Sequence, residues 1–429
     1  MILSEIRIAL AGLGTVGTAV ARLLQEDAQR LQQETGVPLR LTVIFDRSYW
    51  RKETGWLPPE IRLTDSLDEF LRHPVDIVVE LIGGIEPAEY IITTALREGK
   101  AVVTANKFLL AQAIHRYLTL AAEHRAYLGF EAAVAGGIPI IRALRHSLCA
   151  DHIVRVRGIL NGTCNFILSE MAASGRRYDE VLAEAQRRGY AEADPTLDVS
   201  GRDTADKLAL LCALAFGRPL TPEQIPTTGI TSLTPVDFLY AQRLDCAIKL
   251  LGVAERCDAQ LAVRVSPFLV HKRLTLAAVS GALNAVEVTG ARLGSILFSG
   301  LGAGGNPTAV SVVADIVNAA LWKQNKGLFH PPLLLPVAEA READESYPFY
   351  IRLTVSDRPG IIAAVATILA SWQISLDAVV QEPWQDRTHL PFVVTVEPTP
   401  FTTMERAFAE LSALDFNTSP PLLLPILSE

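Results

Sequence analysis

The opening stretch of the chain constrains its fold more than any other. Ile6-Arg7-Ile8-Ala9-Leu10-Ala11 reads as a buried strand, Gly12-Leu13-Gly14-Thr15-Val16-Gly17 as a glycine loop, and Thr18 through about Gln33 as an amphipathic helix. In that setting the glycines have separate tasks: a tight turn, close approach of backbone to a pyrophosphate, and close packing of helix on strand. The free N–H groups of the helix N-terminus then face the anion. A dinucleotide held by residues 12–17 is the expectation, and a βα turn without a ligand is the alternative.

The second strand, Leu41 to Phe45, ends in Asp46-Arg47-Ser48, where the ribose of such a cofactor belongs. Asp46 could accept from a 2′-hydroxyl and favour NAD. Arg47, with Arg51 and Lys52 nearby, could pair with the 2′-phosphate of NADP. The choice stays open at this level. A further buried strand, Val75 to Leu81, leads into Gly83-Gly84-Ile85-Glu86-Pro87-Ala88, and an apolar strand around Val102 ends in Thr104-Ala105-Asn106-Lys107. Loops after the strands of an open parallel sheet lie at its ligand-binding edge, which makes Lys107 a candidate cation rather than only a solvated loop lysine.

Gly129 to Pro139 is a run of small residues broken by one acid, Glu131, which with backbone carbonyls could hold a hard monovalent cation. Gly189 to Gly201 carries Glu192, Asp194 and Asp198, and Arg202-Asp203-Thr204-Ala205-Asp206-Lys207 then enters an apolar helix. Asp203 and Lys207, four residues apart, share a helix face. A lysine at the edge of an apolar helix can serve as proton donor and acceptor, and neighbouring acids could hold an ammonium group. A surface ion pair and a solvated acidic loop are the alternatives.

With 429 residues the chain is long enough for two to four domains of about 100 to 200 residues each. A net charge of −8 without a basic run argues against nucleic-acid binding. The five cysteines show no paired or metal-ligand spacing, as in a reduced, cytoplasmic protein. No stretch of about 18 consecutive apolar residues appears, so no membrane partner is expected. The apolar fraction of 49% makes a homo-oligomer plausible.

Taken together, Gly83 to Ala88, Val103 to Lys107, Ala135-Gly136-Gly137-Ile138-Pro139, Asn161-Gly162-Thr163 and Gly201 to Lys207 resemble homoserine dehydrogenases in order and approximate spacing over nearly the whole chain. The resemblance implies NAD(P)-dependent interconversion of L-aspartate 4-semialdehyde and L-homoserine, on the route to threonine, methionine and isoleucine. It implies Lys207 as proton donor with Asp203 beside it, Glu192 on the amino group of a small-molecule substrate, and Lys107 as a second active-site lysine. For the cofactor it implies Gly12, Leu13, Gly14, Thr15, Val16, Gly17, Arg47, Thr104, Lys107 and Gly304, the last from the loop Gly300 to Thr308 ahead of a helix over Ala309 to Lys323. Glu131, Val134, Gly136 and Ile138 match the positions around a sodium ion, the last three through main-chain oxygens.

The expected class is α/β. A Rossmann-type nucleotide-binding domain spans 1–135 and is completed by about 300–325, followed by an α+β substrate-binding and dimerisation domain over 136–299, in which Val263 to Val288 reads as short strands. A Pro-rich and acidic linker covers 326–346, and a C-terminal domain covers 347–429. The last has the pattern strand, helix, strand, strand, helix, with Leu422 to Leu427 closing the sheet, and its Asp357-Arg358-Pro359-Gly360 turn resembles that of a ferredoxin-like ACT domain. That resemblance implies threonine as a feedback effector and a homodimer or homotetramer; a purely structural dimerisation module is the alternative. Two rival functions are a phosphoglycerate-type dehydrogenase, which needs a catalytic histidine motif absent here, and a non-catalytic amino-acid sensor.

Overall fold

A computed structural model of the chain describes residues 4–257, 260–325, 345–384 and 386–428. It divides into two compact units, one comprising Met1–Val156, Asp206–Gln224 and Val288–Glu339, the other Arg157–Ala205, Ile225–Glu287 and Ala340–Glu429. The expected linker over 326–346 lies outside the described residues except for Glu345 and Ser346, and Ser346 already opens a strand.

The first unit is built on a parallel sheet of β1 (Ile6–Ala11), β2 (Leu39–Phe45), β3 (Arg62–Thr64), β4 (Ile77–Glu80), β5 (Ala101–Thr104) and β6 (Leu128–Gly129). Their order is β3-β2-β1-β4-β5-β6. The direction of winding reverses between β1 and β4, and the crevice at their carboxyl ends is where Rossmann-type sheets take a ligand. The near-continuous apolar composition of β1, β4 and β5 follows from burial on both faces. The helix expected over Thr18 to Gln33 is two helices, Thr15–Glu26 and Ala28–Thr35. The break falls at Asp27, which has φ −102° and ψ +14° and forms an exposed ion pair with Arg30 at 2.6 Å. Leu24 and Leu31, on either side of the break, still reach the core. Helix Gly305–Asn325 contributes Ala309, Val312, Ile316 and Ala320 to the same core as Leu10, Val20, Ile44 and Val103.

The second unit carries a mixed sheet. It holds β8 (Cys246–Cys257) and β9 (Gln260–His271) and parts of β7 (Ile153–Ile159) and β10 (Leu283–Gly290), after which the chain continues as β11 (Gly294–Leu301). The C-terminal part adds β12 (Ser346–Val355), β13 (Leu376–Val380), β14 (Leu390–Pro400) and β15 (Leu422–Leu427). From β10 the order runs β10-β7-β8-β9-β15-β12-β14-β13. Helices Ile361–Ser371 and Phe401–Ser412 lie between strands in a βαββαβ order. β15 pairs antiparallel with β12 and, through Ile426 and Leu427, parallel with Leu269 and Val270 of β9. Among the described residues no helix is long and apolar enough to cross a membrane.

Candidate active site

The glycine loop between β1 and helix Thr15–Glu26 is shaped by contacts that leave no room for side chains. Gly12 has φ +101°, and a Cβ there would stand 2.6 Å from the Leu81 carbonyl oxygen at the end of β4. A Cβ on Gly17 would stand 2.0 Å from the Gly12 oxygen. Gly14 and Thr15 are exposed at the crest, Leu13 is buried and Val16 half-buried. Thr15 Cγ2 would lie 3.1 Å from a Cβ on Gly305, so the start of helix Gly305–Asn325 sits against the glycine loop; the preceding Gly304 has φ +115°.

Asp46, at the end of β2, is fully engaged. Its Oδ2 accepts from the Leu13 N–H at 2.8 Å and from the Lys52 ammonium, and its Oδ1 accepts from the Ser48 N–H at 2.9 Å and the Ser48 hydroxyl at 3.0 Å. Lys52 also donates to the Leu13 carbonyl at 2.9 Å. Burial alone would raise the Asp46 carboxyl, but the Lys52 ammonium and the Leu13 and Ser48 donors outweigh it and hold the group below its ordinary value. Arg47 and Arg51 are exposed beside this knot.

Across the crevice, Glu80 is wholly buried. Its carboxylate accepts from the Thr104 hydroxyl at 2.7 Å and from the Ile82 and Gly83 N–H groups at 2.8 and 3.1 Å. Thr104 in turn accepts from the Asn106 N–H at 3.0 Å, and Asn106 donates to the Gly84 carbonyl at 2.7 Å while capping the helix Lys107–Glu123. This network ties together the loops after β4 and β5 and fixes Lys107, half-buried, at the first position of its helix. Glu80 was not singled out from the sequence, although an acid ending the apolar run Val75 to Val79 was a visible signal.

Glu131 is 2% exposed and accepts from the Ile141 and Arg142 N–H groups at 2.8 and 2.9 Å, while its own N–H donates to Asp315 at 2.7 Å. Burial, with the Asp315 charge adding to it, pushes the Glu131 carboxyl up to about 7. Val134 and Ile138 are buried in the same turn. Gly136 has φ +51°, its oxygen accepts from the Ser311 hydroxyl at 2.7 Å, and a Cβ there would meet the Gly302 oxygen at 2.5 Å.

Gly201, in the second unit, ends a short turn at φ +87°, pressed against Thr227 and Val265, and helix Arg202–Phe216 follows, its residues from Asp206 onward belonging to the first unit. Asp203, Asp206 and Lys207 are 6%, 4% and 8% exposed, so the pair expected on one helix face is buried and not a surface ion pair. The Asn161 amide donates to Asp198 at 2.7 Å and to Asp203 at 2.8 Å. Neither Asn161 nor the buried Lys249 was assigned a role from sequence. Lys249 donates to the Val279 carbonyl and to Asn165 at 3.3 Å. Glu192 is exposed in its loop, where Gln186 donates to the Glu192 and Ala193 carbonyls at 3.1 and 3.3 Å. Among the described residues no cluster of three or more His, Cys, Asp or Glu could hold a metal ion, so a cation at Glu131 would depend on main-chain oxygens.

A family model for homoserine dehydrogenase matches residues 139–317, and one for the homoserine dehydrogenase NAD binding domain matches 12–131. The chain is 39% identical over 429 residues to the homoserine dehydrogenase of Pseudomonas aeruginosa, covering 97% of this chain and 98% of the relative. The chain belongs to the homoserine dehydrogenase family. It is therefore an NAD(P)-dependent oxidoreductase, and the phosphoglycerate-type and sensor readings fall away. Homoserine dehydrogenase of Neisseria gonorrhoeae is 38% identical, with 96% of each chain covered. Among solved structures, a homoserine dehydrogenase from Thiobacillus denitrificans superposes with a TM-score of 0.92 at 39% identity, covering 98% of each chain. A hyperthermophilic archaeal homoserine dehydrogenase in complex with NADPH matches with a TM-score of 0.64 at 28% identity, covering 74% of this chain and 98% of that one. Both family models end before the C-terminal βαββαβ segment.

Proposed function

We propose that the chain interconverts L-aspartate 4-semialdehyde and L-homoserine, with NADP as the preferred cofactor and Lys207 as the proton donor. The observation that carries the reading is the buried placement of Asp203 and Lys207 one turn apart on helix Arg202–Phe216. When bound, the cofactor supplies or takes up hydride at the carbonyl carbon. As negative charge grows on the aldehyde oxygen, Lys207 delivers a proton to it; in the oxidative direction the same amine takes the hydroxyl proton. Asp203 orients the amine from the preceding turn, Glu192 pairs with the substrate ammonium, and Lys107 adds a second cation beside the reacting groups.

For the cofactor, Gly12 to Gly17, Thr104, Lys107 and Gly304 form the binding surface. The preference for NADP follows from Asp46: a carboxylate has about four acceptor sites, and Leu13, Lys52 and Ser48 already fill them, which leaves none for a 2′-hydroxyl. The exposed Arg47 is then the group that meets the ribose, and its guanidinium suits a phosphate. Titrating intrinsic fluorescence with NADPH and NADH should show NADPH binding at least about tenfold tighter, a difference of about 1.4 kcal/mol. Equal affinities would sink the assignment.

Glu131 with the carbonyl oxygens of Val134, Gly136 and Ile138 fits a sodium ion, because the set is all oxygen and includes one carboxylate deep in the fold. The ion would brace this turn and offset the charge of Glu131. The nucleotide-binding domain spans 1–135 and 300–325, the substrate-binding domain 136–299, the linker 326–346 and the C-terminal domain 347–429. The βαββαβ order of the C-terminal segment, with strand order β15-β12-β14-β13, supports a ferredoxin-like ACT domain; threonine as feedback effector and a cytoplasmic homodimer or homotetramer follow from the ACT resemblance and complete the proposal. Reduced-nicotinamide absorbance with homoserine tests the activity, and added threonine tests the regulation; a rate and a melting temperature both indifferent to threonine would remove that part. Lys207→Ala should abolish turnover while leaving NADPH affinity within about twofold of the parent, a small change on the free-energy scale. A parallel loss of affinity would place the lysine in the cofactor pocket instead.

A further inference from the structure

Asn161 precedes helix Gly162–Ser174, and its carboxamide works in two directions. The Oδ1 accepts from the Cys164 N–H at 2.8 Å and caps the helix. The Nδ2 donates to Asp198 Oδ1 at 2.7 Å and to Asp203 Oδ2 at 2.8 Å. A primary amide carries two N–H bonds, so each carboxylate takes one. Two carboxylates drawn to a single nitrogen are close enough to repel each other, and Asn161 at 5% exposure and Asp203 at 6% are poorly screened by water. The backbone between them has little freedom to relieve this: a Cβ on Gly201 would stand 2.9 Å from Thr227 Cγ2, and one on Gly229 would stand 2.2 Å from the Val199 oxygen. Capping does not explain the residue type. Serine and aspartate cap a helix about as well as asparagine, but neither supplies two N–H donors beyond the cap.

We infer that Asn161 is a positioning residue for the reaction: its amide holds Asp203, together with Asp198, in the orientation from which Asp203 serves Lys207. The inference rests on the role proposed above for Asp203. With the amide in place, each acid is given a fixed donor and the repulsion between them is offset by a neutral group. Without it, Asp203 loses one of the bonds that fix its carboxylate, and its alignment toward the amine one turn on becomes less exact.

The test uses the full-length enzyme and two variants that keep the cap. N161S loses the bridge without adding charge; N161D replaces the bridge by a third acceptor. Because a misplacement of about 1 Å costs on the order of a hundredfold in rate, kcat for homoserine oxidation should fall by about that factor in N161S and further in N161D. The NADPH dissociation constant should not move, and N161S should remain folded at the assay temperature with only a modest fall in melting temperature. D203N, alone and combined with N161S, closes a cycle in which the double variant is no slower than D203N, since nothing remains to be positioned. Wild-type kcat in N161S and N161D, or effects of N161S and D203N that multiply independently, would overturn the inference. If D203N itself turns over at the wild-type rate, the proposed role of Asp203 fails instead, and the same cycle read in melting temperature still decides whether the bridge exists.

Discussion

Lys249 is 4% exposed on β8, and its ammonium meets only neutral oxygens in the contacts described, from Val279 and Asn165. Burial lowers its pKa from 10.5 to about 8. The unfolded chain therefore binds a proton that the folded chain releases between those values, so this lysine costs stability below about pH 8, and the cost fades as pH rises toward 10.5. Lys249→Met should flatten the rise of unfolding free energy over that window, where one proton is worth at most about 1.4 kcal/mol per pH unit. Urea unfolding at a series of pH values measures the slope, and an unchanged slope would show that the lysine stays protonated in the folded state up to its unfolded value. At this scale the sequence told an uneven story. Asp203 and Lys207 were legible because helical periodicity puts residues four apart on one face. Asn161, Lys249 and Glu80 were not assigned roles, because the partners that distinguish them, Asp198 and Asp203, Asn165 and Val279, and Thr104, lie tens of residues away and only folding brings them together.

At the scale of elements, local pattern and local structure agree where a strand is bounded by turn-forming residues such as Gly12, Gly99 and Pro420. β1, β5 and β15 stand within a residue or so of where composition puts them, as does helix Ile361–Ser371 after the Pro359-Gly360 turn. β8 escaped notice because Ile248 to Ala254 are buried on both faces, so the alternation that marks a half-covered strand is missing. The break at Asp27 escaped because the apolar period continues across it. The glycine loop allows a sharper test. In Gly17→Ala the new methyl would have to displace the Gly12 oxygen 2.0 Å away, opening the turn that carries Leu13 and Gly14. NADPH affinity should fall at least about tenfold while the β1–β2 pairing and overall ellipticity persist, because the strain falls on the loop and not on the sheet. Calorimetric titration of NADPH would show it, and parent-like binding would mean that the loop has slack the static geometry does not reveal.

On the largest scale, the C-terminal βαββαβ segment is built into the second unit. Asp237 is fully buried, and its Oδ1 accepts from Arg352 Nε at 2.7 Å and from the Tyr350 hydroxyl at 2.9 Å, which locks β12 to helix Pro235–Arg243. The Tyr240 hydroxyl donates to the Pro391 carbonyl at 3.0 Å. Removing one partner of a buried ion pair strands the other, at a typical cost of about 3–5 kcal/mol, whereas replacing both is far milder. Arg352→Met should therefore lower the unfolding free energy by about that amount, and Arg352→Met with Asp237→Asn should recover much of it; equal losses in the two variants by chemical denaturation would contradict the coupling. The pairing of β15 with β9 has a further consequence for synthesis. About 150 residues separate His271 from Leu422, so a ribosome leaves the hydrogen-bonding edge of β9 bare until the final strand emerges. A stalled nascent polypeptide would display that edge to other chains, which makes chaperone dependence and clumping the expected phenotype of late nonsense mutations.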